Sequence, residues 1–120
     1  MASRAREDTG AATAELALGI PLLVALTVGL VWMLAVGAAQ VRVIDASREA
    51  ARAVARGDDV TAAETVALRI APGHARVSIE VGDSQVVVTT SARVSGPGGL
   101  LASLPGVTVT ADAVALVEAP

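Results

Sequence analysis

From Leu16 to Val41 the chain carries no charged side chain. At a helical rise of about 1.5 Å per residue, such a run outreaches the roughly 30 Å hydrocarbon core of a bilayer. Between Leu16 and Ala39 the one strongly polar side chain is Thr27. Buried helices of soluble domains are seldom this long and this uniform, and 120 residues suffice for one small domain. The sequence therefore predicts a membrane-spanning helix over residues 11–41. Pro21, in its first turns, removes one helical hydrogen bond and predicts a mild kink. Ala25 and Gly29 have the small-xxx-small spacing that lets membrane helices approach closely, a spacing that so much Ala and Gly also produces by chance.

Composition excludes several functions. The 53% apolar content comes from Ala, Val and Leu, with one Trp and no Phe or Tyr. A net charge of −3, with no basic stripe and no aromatics to stack on bases, argues against nucleic acid. Without cysteine there is no disulfide, thiolate metal site or cysteine nucleophile. His74 is the one histidine and falls in a Pro/Gly loop, so no Ser–His–Asp arrangement can be assembled. The "GPGG" stretch lacks the Lys–Ser/Thr ending of a phosphate-cradling loop. The chain reads as a non-enzyme with no metal, cofactor or small-molecule substrate.

Glu15 stands at the mouth of the apolar run. A carboxylate in the first turn of a helix is mildly favoured by the helix dipole, so Glu15 can simply mark the membrane interface. Ionisable groups that enter the bilayer are instead expensive, on the order of 2.5–3.5 kcal/mol on insertion scales, and then point to function. The neighbours bear on the choice. Met1 to Gly10 is short, polar and charged, and Glu15 is the fifth residue after Gly10. This layout resembles the class III leader of type IV pilins. The resemblance implies cleavage after Gly10 by a prepilin peptidase, Ala11 as the new N-terminus, and Glu15 as a carboxylate that meets the N-terminal amine of a neighbouring subunit. An ordinary secretory signal is the competing leader: Gly37-Ala38-Ala39 could be its cleavage site, which would free a secreted domain beginning at Gln40. The apolar run is about twice the 7–15 residues typical of such signals.

"AQVRVIDASREAARAVARGDD", residues 39–59, extends the helix with arginines at 48, 52 and 56 along one side and Val, Ile and Ala elsewhere. Asp45–Arg48 and Glu49–Arg52 are spaced for ion pairs, and Gly57 suits the position just past a helix end. One helix from about Thr13 to Arg56 is expected, residues 42–57 forming its amphipathic extension. The stretch from Glu15 through "DASREAAR" resembles the TadE-like minor pilins of tight-adherence (Flp) pilus systems, over about residues 10–56. Glu15, Pro21 and the Ala/Arg segment carry the likeness; where that family commonly has an aromatic after the Glu, this chain has Leu16. The resemblance implies a pilin or pseudopilin partnered by the prepilin peptidase, other pilin subunits, assembly machinery and membrane lipid, with Pro21, Arg48 and Arg52 as candidate subunit contacts. Arginines spaced on an Ala-rich helix also form ordinary solvated faces. The leader places the N-terminus in the cytoplasm and the rest outside the cell membrane. Counting arginines alone gives the opposite, with Arg4 and Arg6 before the helix and Arg42, Arg48, Arg52 and Arg56 after it.

Residues 58–120 read as a small extracytoplasmic domain. Asp58-Asp59 offers an N-cap and Thr61-x-x-Glu64 a capping box for a short helix ending near Ile70, before Pro72 and Gly73. "RVSIEV" and "QVVVTTSARV" alternate as strands. A type II′ turn at Gly82-Asp83 would set Ile79 opposite Val86 and Val77 opposite Val88. After the loop at 95–106 a third strand is expected from Val107 to about Val117. The fold class is thus α+β: a long N-terminal transmembrane and amphipathic helix, a short second helix, and a small three-stranded antiparallel sheet. Two functions follow: a pilin-type assembly subunit, or a single-pass membrane protein whose small outer domain binds something unrelated to pili.

Overall fold

The computed structural model describes residues 2–97 and 106–117, with side chains from Arg6 onward. Its elements are α1 (Ala2–Ala55), α2 (Val60–Ile70), β1 (Arg76–Val81), β2 (Gln85–Val94) and β3 (Val107–Leu116). This is the α+β architecture expected. The expected loop at 95–106 falls largely outside the described residues, which omit 98–105. Two compact units divide the chain, one up to Met33 and one from Leu34 onward.

The first unit is helix alone. It begins at Ala2 rather than near Thr13, because the leader is built of Ala, Arg and Glu, good helix formers, and Gly10 by itself is too weak a breaker to stop it. Pro21 lies inside the helix without ending it. Its missing N–H deprives the carbonyl of Ala17 of its usual donor. Thr27, the polar side chain within the apolar run, donates to the carbonyl of Leu23 at 2.8 Å, so its hydroxyl demands nothing from its surroundings.

The second unit is a sheet of order β1-β2-β3, antiparallel throughout, covered on one face by helices. Along β2, Val86, Val88, Thr90 and Ala92 point inward and are buried, as the period of two requires. The last turns of α1 lie over them. Val36, Ala39 and Val43 pack with Ala92, Val94, Val109 and Ala111, while Ala46, Ala50 and Val54 pack with Val86, Val88, Ala113 and Ala115. The helix therefore runs antiparallel to β2, and the end of the sheet holding Val94 and Val107 lies where the uncharged run gives out. Ala63, Ala67 and Ala71 bring α2 into the same core. With only Ala, Val and Ile to fill it, this core works by close approach of backbones rather than by bulk.

The ends of the helices follow local chemistry. Gly57 takes φ +99°, its N–H donates to the carbonyl of Val54, and the N–H of Asp58 donates to that of Ala53, both at 3.0 Å. This is the paired closure that a left-handed glycine permits. Asp59 is the N-cap of α2, but no side chain caps it. The expected Thr61–Glu64 capping box does not form, because the first helical bond runs from Ala63 N–H to the Asp59 carbonyl, 3.0 Å, and places Thr61 inside the helix.

The first hairpin also departs from expectation. Ile79 pairs with Val88 and Val81 with Val86, a slip of two residues from the expected register. The turn sits on Asp83-Ser84, closed by the N–H of Gly82 to the carbonyl of Gln85 at 2.8 Å. Gly82 does not take the positive φ that a type II′ turn needs. A slip of two preserves side-chain parity, so the inward face is unchanged.

Candidate functional site

The apolar helix presents its side chains to the outside on all sides. Leu16, Leu18, Leu22, Leu23, Met33 and Leu34 are each more than half exposed. Among the described residues nothing covers them, and lipid is the solvent in which such a surface costs nothing. By length and composition this helix can cross a membrane.

Gly10, Ala11 and Glu15 lie on the exposed surface of α1, in its first fifteen residues. A Cβ added at Gly10 would meet nothing within 4 Å. Among the described residues this glycine serves no turn and no close packing, while costing about 1 kcal/mol of helix stability relative to Ala. Gly19, Gly29 and Gly37 are equally open, so the Ala25–Gly29 pair meets no partner among the described residues.

The Ala/Arg segment resolves into two faces. Ala46, Ser47, Ala50 and Ala51 are buried under the sheet and α2, whereas Asp45, Arg48 and Arg52 face outward. Glu49 and Arg52 approach to 3.9 Å, a solvent-exposed pair of little energetic weight. The expected Asp45–Arg48 pair does not close, and the other described ion pair joins Arg56 to Asp58 at 3.6 Å. Arg48 and Arg52 instead rim a groove of about 270 Å³ whose floor and far wall are Ala51, Ala55 and the β3 residues Ala113 to Leu116. The far wall is the edge of the sheet.

Three polar residues escaped the sequence analysis. Ser47, fully buried, contacts the Thr90 hydroxyl at 2.7 Å and the carbonyl of Ala111 at 3.0 Å. A serine has one proton and a carbonyl only accepts, so Ser47 donates to Ala111 and takes its second bond from Thr90. This clamp ties α1 to the central strand and to β3. Its position four residues after Val43 and seven before Val54, on the apolar face, was the available signal. Ser47→Ala is expected to lower the stability of this unit by about 1–3 kcal/mol, because Thr90 loses its partner while buried; accelerated amide exchange along β2 checks it. Arg42 donates to the carbonyls of Ile70 at 3.0 Å and Ala71 at 3.3 Å, closing the C-terminus of α2. Gln40 donates to the carbonyl of Thr110 at 3.2 Å.

An exposed apolar helix of membrane-crossing length, continued by a small helix-on-sheet unit, fits a membrane-anchored chain with a compact head. More particularly, residues 10–52 match the family described as TadE-like protein. That span begins at Gly10 and ends at Arg52, taking in Glu15, the apolar run and the buried Ala/Ser face. The chain is also 42% identical over 79 residues to Rv3655c of Mycobacterium tuberculosis, which is named an apoptosis inhibitor. The match takes in 66% of this chain and 57% of that protein, so the chain spans little more than half of its relative's length. No solved structure gives a significant match.

Proposed function

We propose that the chain is a minor pilin or pseudopilin of a tight-adherence (Flp) type IV pilus, a non-enzymatic subunit that acts in pilus assembly or a related secretion apparatus. The observation that carries this reading is Glu15, held on an uncovered apolar helix five residues after a glycine that nothing in the fold requires. Gly10 is then kept for an outside reader. A peptidase needs extended backbone at the bond it cuts, and glycine lowers the cost of unwinding the helix there. Cleavage leaves an ammonium at Ala11, and Glu15 pairs with that group on a neighbouring subunit. Pro21 supports the same contact by leaving the Ala17 carbonyl open to a partner's donor. Arg48 and Arg52, rimming the groove beside the edge of β3, are further subunit contacts.

The orientation follows from the leader, with the N-terminus in the cytoplasm and the α+β unit outside. The arginines after the helix do not overrule it. The positive-inside rule counts short loops, and folded domains translocate largely regardless of charge. Arg42, moreover, is spent on capping α2.

Removing this chain from its native cell should abolish surface pili while the major pilin is still made. Normal piliation would contradict the proposal. That result would favour the second reading, a single-pass anchor whose outer unit binds a partner unrelated to pili, which the name of the mycobacterial relative supports.

A further inference from the structure

We propose that the outer face of the sheet, at the end holding Arg76 and Arg93, is a binding site for the phosphate of an anionic lipid headgroup. The proposal rests on the reading of the apolar run as a membrane span. A cleft of about 380 Å³ is lined there by His74, Arg76, Ser91, Ala92, Arg93 and Thr108. The pairing explains the gathering: Arg76 lies opposite Ser91, and Arg93 opposite Thr108. Two guanidinium groups and two hydroxyls thus project from one face of three adjacent strands.

Neither guanidinium is in an ion pair or hydrogen bond with any described residue. The acidic side chains of this face, Glu80 and Asp112, each stand four residues further along, Glu80 from Arg76 and Asp112 from Thr108, or about 13 Å at the strand rise. The connection at 95–106 contains no acid in its sequence. Arg93 is also held in place. A Cβ on Gly106 would come within 2.9 Å of its Nε and 3.1 Å of its Cγ, so the arginine stem occupies the space that the glycine leaves.

The location selects the ligand. On the opposite face of this end, Ala92, Val94 and Val109 pack against Val36, Ala39 and Val43, the point at which the uncharged run ends at Val41. The cleft therefore stands at the level where the chain leaves the hydrocarbon, which is the level of lipid phosphates. Arginine forks and hydroxyl donors suit a phosphate diester, and each basic group near an anionic surface is worth about 1 kcal/mol, or about fivefold.

The test uses the full chain reconstituted in phosphatidylcholine bilayers, with spin-labelled phosphatidylglycerol and phosphatidylcholine as probes of lipid held at the protein. The wild type should prefer phosphatidylglycerol, by about fivefold for each arginine. R76Q and R93Q should each lose about that factor, and the double variant should approach no preference. R56Q, matched in charge but at the other end of the unit, should retain the preference, and millimolar inorganic phosphate should not abolish it. Equal loss in R56Q, or no preference in the wild type, overturns the cleft assignment. Competition by inorganic phosphate overturns lipid as the source of the anion. A chain that fails to float with the vesicles overturns the membrane reading itself.

Discussion

Replacing Ala50 with leucine is expected to destabilise the head of this protein strongly while leaving its membrane helix in place. Ala50 is fully buried on α1, within the cluster that joins α1 to Ala63 and Ala67 of α2 and to Val86 and Val88 of the sheet. A core of Ala and Val gains its stability from close backbone approach, and it has no long, flexible side chain able to yield. Three added carbons must push the helix away from the sheet, at a cost of about 3 kcal/mol. The same movement opens the Ser47–Thr90–Ala111 clamp, whose groups are then buried without partners. Amide exchange along β2 should accelerate by about a hundredfold, since 1.4 kcal/mol corresponds to a factor of ten. Ala62→Leu, on the exposed side of α2, should change exchange little. Equal effects of the two variants would show that the inward face has been misassigned.

Glu15→Ala should give the complementary result, a folded head in the membrane that no longer assembles. The carboxylate is exposed and makes no ion pair with any described residue, so its removal takes little from the fold. On the proposed pilin reading, the Ala11 ammonium of one subunit and Glu15 of the next would enter low dielectric together. Removing one member of such a buried pair strands the other, which costs about 3–5 kcal/mol. Incorporation into pili, measured by immunoblot of sheared filaments, should fall by about a hundredfold to a thousandfold or more. Glu15→Gln should fall as far as Glu15→Ala, because shape is kept and charge is lost, and Glu15→Asp should retain part of the function. Wild-type incorporation of Glu15→Gln would refute the charge pairing.

The contrast between these two variants reflects what could be read from the sequence. The apolar run, the alternating strands and the Gly57 stop were legible because each is a local pattern: absence of charge, period two, and a backbone position that favours glycine. The hairpin register was not, since Gly82 invites a type II′ turn and two registers of equal parity present the same side chains to the same face. The roles within "DASREAAR" were half legible. Its arginines stood out, but the segment's principal work inside the chain is done by Ala46, Ser47, Ala50 and Ala51, small residues whose importance shows only once a sheet is laid against them. Arg42 was counted among the arginines flanking the membrane run, although its partners, the carbonyls of Ile70 and Ala71, lie far along the chain. Glu15 was legible for the opposite reason. No tertiary contact with a described residue explains it, and what marks it out is its distance from Gly10 and from the apolar run.

In a pilin-type subunit the leader is cut and the helix kept. The most direct measurement is the intact mass and N-terminal residue of the protein isolated from its native cell membrane. The account predicts a mature chain that begins at Ala11 and retains the whole apolar helix. A chain beginning at Met1 or Ala2 would contradict it by leaving the anchor unprocessed, and one beginning at Gln40 would make the helix a discarded signal and Glu15 irrelevant to assembly.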